Sequence, residues 1–184
     1  MTLAIYVDDA PGVLNRVASL FRRRAFNISS LTVGHTDRAG ESRMTVVVDA
    51  DLPAERVVAN LYKLVDVRRV EVMPPRAAVS RDLALIKVST SPTTRSEVMQ
   101  LVNVFRARVV DVAIDSLIVE ITGSEYKVDS LVEVLRPYGI LEMVRTGRVA
   151  MLRGAHSEAN ADEQPDAAET EERSGTPDSV SYSV

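Results

Sequence analysis

One short segment combines residue types suited to holding a small anion. In Asp9-Ala10-Pro11-Gly12-Val13-Leu14 a proline and a glycine stand where an apolar strand gives way to a helical pattern. Proline suits the first helical turn, because its missing N–H would lack a partner there in any case; Asp9 or Ala10 then falls at the cap. Gly12 has no side chain, so the backbone N–H groups of that turn stay open to a carboxylate, which the helix dipole favours. Val13 and Leu14 place apolar surface beside the anchor. Asn27 begins the next strand, and the intervening helix is expected to return the chain to the level of the loop. The Asn27 amide both donates and accepts hydrogen bonds. The set suits a free amino acid with an aliphatic side chain. The plainer alternative is that Pro11-Gly12 merely opens a helix and Asn27 merely begins a strand; spacing alone favours it.

Catalytic chemistry has little to work with. The two histidines, His35 and His156, are far apart, and cysteine is absent. That excludes a disulfide framework, a thiolate metal site and a cysteine nucleophile. No HExxH, GxSxG, Walker or GxGxxG pattern occurs, and carboxylates are scattered. His35, lacking partner ligands, reads as a surface residue rather than a metal ligand. No catalytic residue, metal site or cofactor is expected in this chain.

Charge separates a tail from the rest. Residues 155–184 hold eight acids and one base, Arg173, whereas the preceding 154 residues hold 18 acids and 21 bases. A balance of +3 is too weak to argue for nucleic acid, and aromatics at 4% with no tryptophan supply no base-stacking platform. The tail, with almost no large aliphatic residues, cannot offset its chain entropy by burial and is expected to be disordered. No apolar run reaches the roughly 18 residues of a membrane span, and Met1 leads directly into a strand pattern. A cytoplasmic protein is expected.

The elements that must position the loop occur twice. In the first half, TLAIYV reads as a strand, and Leu14, Val17, Ala18 and Phe21 form a helical stripe at i, i+3, i+4 and i+7. Strands follow at Asn27 to His35 and around Met44, Val46 and Val48, joined through Asp37-Arg38-Ala39-Gly40. A second helix starts near Pro53 with Val57, Leu61 and Leu64 on one side. A strand from Val67 to Met73 then meets Pro74-Pro75. The second half repeats the order, with stripes at Val98, Leu101, Val102, Phe105 and at Val128, Leu131, Val132, Leu135. Two βαββαβ units make a tandem ferredoxin-like α+β fold. The expected domains are 1–75 and 82–154, with a linker at 76–81 and a tail at 155–184. The run Leu83 to Ile86 is apolar throughout, which is expected of a strand covered on both faces. Units of about 75 residues also gain from extra burial, so a homodimer is expected.

The segment VDDAPGVLNRVASLFRRRAFNISSLTVGHTD resembles the N-terminal ACT domain of the regulatory (small) subunit of acetolactate synthase, also called acetohydroxyacid synthase. The likeness continues through SRMTVVVD, LYKLVDVRRV, RDLALIKV, VFRARVVDV and ITGSEYKVDSLVEVLRPYGILEMVRTGRVAMLRG. The Phe26 to Leu31 segment and the RPYGI…E…RTG…RG run carry the resemblance most specifically. It implies a non-catalytic subunit that binds and activates a separate catalytic large subunit and confers feedback inhibition by valine in branched-chain amino acid biosynthesis. Thiamine diphosphate, magnesium and FAD would sit in that large subunit. Valine would bind where ACT domains pair across a homodimer, at Asp9, Gly12, Val13 and Leu14, with Asn27 and Ile28 on the facing strand. A free-standing amino-acid sensor without an enzyme partner is the alternative. Two departures stand out. The family usually has asparagine at Asp9, and a carboxylate there opposes a ligand's own. It usually has glycine at Ala25, where a positive φ would cost on the order of 1 kcal/mol.

Overall fold

The computed structural model describes residues 1–49 and 53–154. The acidic tail expected at 155–184 lies outside them. The first unit comprises β1 (Thr2–Asp8), α1 (Val13–Arg23), β2 (Ile28–His35), β3 (Glu41–Val48), α2 (Ala54–Leu61) and β4 (Val67–Met73). The second comprises β5 (Ala78–Ser89), α3 (Arg95–Val104), β6 (Arg108–Val112), β7 (Ser116–Gly123), α4 (Glu125–Leu135) and β8 (Ile140–Arg145), followed by β9 (Val149–Leu152). The sheets run β2-β3-β1-β4 and β6-β7-β5-β8, so strands of equal rank occupy equal places. Every pairing is antiparallel. This is the expected tandem ferredoxin-like α+β architecture.

Alternation decides the faces. Leu3, Ile5 and Val7 of β1 and Met44, Val46 and Val48 of β3 meet Val13, Val17, Leu20 and Phe21 of α1 and Val57 and Leu61 of α2 in one core. Ala84, Ile86 and Val88 of β5 meet Val98, Val102, Val128, Leu131 and Leu135 in the other. The buried stripe of α1 therefore differs in phase from the expected one: Val13 and Leu20 are in the core, and Leu14 is 43% exposed. Both 13 and 14 are aliphatic, so the period fixed the helix but not which of them faces inward.

The second faces of the two sheets differ. Behind the first sheet, Ala4 and Met73 bury against Ala150 of β9, with Tyr6, Ala78 and Leu152 around them. This is possible because β5 is 12 residues long. Its Ala78–Arg81 stretch, inside the segment expected as a linker, pairs with β9, while its remainder pairs with β7 and β8. The second sheet keeps an open face within the chain. Leu85, expected to be covered, is 38% exposed, and Val144 opposite it is 59% exposed. None of the described helices is long and apolar enough to cross a membrane.

Helices α1 and α3 close alike. The Phe26 N–H donates to the Phe21 carbonyl at 2.9 Å and the Ala25 N–H to that of Arg22 at 3.1 Å. In the second unit, Ala107 N–H donates to Val102 and Arg106 N–H to Asn103, both at 2.9 Å. These are paired Schellman bonds, which put the second residue in the left-handed region. Ala25 has φ 55° and Arg106 φ 50°, so the strain anticipated at Ala25 is present and recurs at Arg106. In α1 the closure is capped by edge-to-face contact of the Phe21 and Phe26 rings, 5.9 Å between centroids. Ala25→Gly and Arg106→Gly should each raise unfolding free energy by about 1 kcal/mol or slightly less, glycine's extra chain entropy offsetting part of the relief. Urea midpoints check this; lower midpoints for both variants would contradict it.

Candidate functional site

The loop after β1 is built around a turn. The Val13 N–H meets the Ala10 carbonyl at 3.4 Å, and Gly12 has φ 85° and ψ −6°. With Pro11 ahead of it, this is the geometry of a type II turn, in which the third position requires positive φ. Pro11 thus serves the turn rather than the first helical position, and Gly12 rather than Asp9 or Ala10 stands at the helix cap. The first intrahelical bond runs from Arg16 N–H to Gly12 C=O at 3.0 Å. The Leu14 and Asn15 N–H groups precede it and have no carbonyl one turn back. Gly12 and Leu14 are exposed beside these amides, whereas Val13 is 2% exposed and its side chain belongs to the core. The aliphatic surface at the loop is therefore Leu14 alone of the two.

Neighbouring turns fix the loop. Asp9 N–H donates to Gly40 C=O at 3.0 Å, and Asp8 N–H donates to Asp66 C=O at 2.9 Å. Arg68 Nε donates to Asp8 Oδ1 at 2.6 Å. Arg16, on the first turns of α1, grips both oxygens of Asp66 at 2.6 and 2.8 Å. Those hydrogen bonds hold the Asp66 carboxyl below its ordinary pKa and make Arg16 hold its proton more tightly.

Asp9 does not stand free. Ser42 Oγ donates to its Oδ1 at 3.1 Å, and His35 Nδ1 lies 3.2 Å from its Oδ2. His35 is a surface residue, its side chain 81% exposed. The sequence reading put His35 on the surface but paired neither residue with Asp9. The signal was there: the Asp37-Arg38-Ala39-Gly40 turn sets 35 opposite 42 by simple counting, and that is the observed register.

The six candidate residues do not converge within one chain. β2 ends beside Asp9, through His35, but Asn27 and Ile28 lie at its other end. Ile28 pairs with Val48, whose neighbour Val47 pairs with Thr2 at the start of β1. Along the six steps from Thr2 to Asp8 that is a separation of about 20 Å. The expectation that α1 returns the chain to the loop is thus corrected: α1 carries it to the opposite end of the sheet. Asn27 is exposed there, and Ile28 is half-buried. Among the described strands β2 is an edge strand whose ladder partner is β3.

Comparison with known proteins places this architecture. Residues 3–69 match the profile of the AHAS small subunit-like ACT domain, and residues 81–154 that of the small subunit of acetolactate synthase. This chain belongs to the acetolactate synthase small-subunit family. The probable acetolactate synthase small subunit of Archaeoglobus fulgidus is 51% identical over 154 residues, covering 83% of this chain and 96% of that one. The small subunit of Bacillus subtilis is 44% identical over 161 residues, covering 86% and 94%. The crystal structure of the small subunit from Thermotoga maritima superposes with a TM-score of 0.78 at 40% identity, covering 83% of this chain and 96% of that one.

In this family member the expected Asp9 departure meets partners on both carboxylate oxygens. Ser42 Oγ donates to one of its oxygens and the His35 ring lies against the other. Among the described residues no group of histidine, aspartate and glutamate side chains could hold a metal ion.

Asp66 is a pH-dependent support of the loop. Its folded pKa lies below its unfolded value of about 3.9, so its contribution is complete above that value and is lost as pH falls through the depressed one. Asp66→Asn should lower the urea midpoint at pH 7, and the gap to wild type should close as the solution is acidified below about pH 3.9. A gap that persists undiminished in acid would contradict the assignment.

Proposed function

We propose that this chain is the non-catalytic regulatory subunit of an acetolactate synthase. It binds a catalytic large subunit carrying thiamine diphosphate, magnesium and FAD, raises its activity and makes it responsive to valine. The reading rests on one observation above all: a type II turn that leaves the first amides of α1 open beside Leu14, next to the edge strand β2.

The split of the candidate residues fits a homodimer. When edge strands pair antiparallel about a two-fold axis, the start of one lies against the end of the other. Pairing through β2 carries Asn27 and Ile28 of one copy toward the Asp9–Leu14 loop of its partner, because His35 at the end of β2 is at the level of Asp9. The site is then complete only in the dimer. The amides take the carboxylate of valine, Leu14 and Ile28 take its side chain, and Asn27 meets its polar end. Binding in the micromolar to millimolar range, about −8 to −4 kcal/mol, is within reach of such a site. Regulation needs a coupling of only about 1–3 kcal/mol between valine and the catalytic subunit.

The match of residues 81–154 to the small-subunit profile favours this reading over a free-standing sensor. Reconstitution with the catalytic subunit, titrated with valine, leucine and isoleucine, tests it directly; failure to bind or activate that subunit would refute it. Gly12→Asp should abolish the valine response, since the added carboxylate faces the ligand's own, and unchanged valine binding by calorimetry would refute the site. Asn27→Ala should weaken valine binding while leaving activation largely intact. Loss of activation with normal valine binding would contradict the role given to Asn27.

A further inference from the structure

The Arg145-Thr146-Gly147-Arg148 run is used neither by the two main cores nor by the valine loop, yet it lies directly against β2 of the first unit. β8 and β9 both pair with β5, Arg145 opposite Ala84 and Val149 opposite Arg81. Residues 146–148 thus stand against only two residues of β5, and the extra one arches the chain toward β2. Behind the arch, Thr146 exchanges two bonds with Leu83: its N–H donates to the carbonyl at 2.9 Å, and its hydroxyl accepts from the N–H at 3.1 Å. Arg145 bonds Asp82 at 2.6 Å and Asp129 of α4 at 2.6 Å.

The front of the arch touches β2 three residues from Asn27. Arg148 N–H donates to Ser30 Oγ at 2.8 Å. A Cβ on Gly147 would lie 2.5 Å from the Leu31 carbonyl oxygen and 2.5 Å from Thr32 Oγ1, so only glycine allows this approach. At this same point the β2–β3 register shifts, between Ile28 and Ser30. We infer that residues 145–148 are the latch through which effector occupancy on β2 reaches the second unit. The inference rests on the valine site proposed above.

The latch has room and reason to rearrange. It borders a cavity of about 390 Å³ lined by Ser29, Ser30, Asp82, Glu125, Arg145 and Arg148 among others. Two buried oxygens beside it, Thr32 Oγ1 and Asp82 Oδ1, have no hydrogen-bond partner in this arrangement. The Arg148 guanidinium bonds Glu125 of α4 and stops 3.9 Å short of Asp82 Oδ1. A small shift of the arch exchanges the Glu125 bond for one to Asp82. A displacement of Ile28 and Ser30 on ligand binding would therefore be read as a change of partner at Arg148, next to the start of α4.

The test uses the full-length chain with its catalytic subunit, and Gly147→Ala and Ser30→Ala as variants. The expected result is valine binding by calorimetry within about two-fold of wild type, unchanged kcat and KM of the effector-free holoenzyme, and valine inhibition weakened at least about five-fold. Ser30→Ala removes one hydrogen bond and leaves the packing, so it answers even if Gly147→Ala folds poorly. Wild-type inhibition in Ser30→Ala and in any folded Gly147→Ala overturns the latch. Parallel loss of valine binding overturns it too, by making these residues part of the site. A wild-type chain that binds no branched-chain amino acid overturns the proposed site itself, and the latch with it.

Discussion

A βαββαβ unit buries one face of its sheet under its own helices and leaves the other to be covered from elsewhere. In the first unit that requirement is met by β9, which reaches Ala4 and Met73 from the far end of the second unit. Much else follows from it. β5 has to be long enough to serve two neighbours, and the path from β8 to β9 has to break, which produces the arch at 146–148 against Ser30 and Leu31. The polar side of the junction follows the same logic. Arg43 donates to the Ala150 carbonyl and to the Tyr6 hydroxyl, while Arg69 stacks on the Tyr6 ring at 4.0 Å. Charge is thus brought under β9 only where it has partners.

The loop after β1 obeys a different constraint. Its amides are open because Gly12 takes a backbone conformation that turns the chain before the helix begins, not because a side chain caps it. Everything around the loop then acts to hold that turn: Arg16 on Asp66, Arg68 on Asp8, Ser42 and His35 on Asp9. In the proposed site the binding groups are main-chain, and the side chains nearby are chiefly scaffolding. As the proposed effector site, a loop built this way would fix where a carboxylate sits and leave the choice of side chain to Leu14 and to whatever faces it.

Much of the fold was legible because its signals are local and occur twice. Alternation in Met44, Val46 and Val48 and helical spacing in Val128, Leu131 and Leu135 each name an element without tertiary knowledge. The phase of α1 was not legible, because adjacent aliphatic residues at 13 and 14 satisfy the same period. The distance from Asn27 to the loop was not legible for a geometric reason: an 11-residue helix advances about 16 Å, most of the roughly 20 Å of the strand it crosses. The cover provided by β9 was out of reach, since alternation marks a strand but not its neighbour.

The sharing of β5 bears on any attempt to take the molecule apart. A cut near residues 74–77 looks natural from the sequence, where two prolines separate two similar halves. Such a cut would strip the first fragment of its lid, baring Ala4 and Met73 to water, and would leave Ala150 of β9 on the second fragment without them. The halves are siblings in pattern, but neither carries all of its own walls.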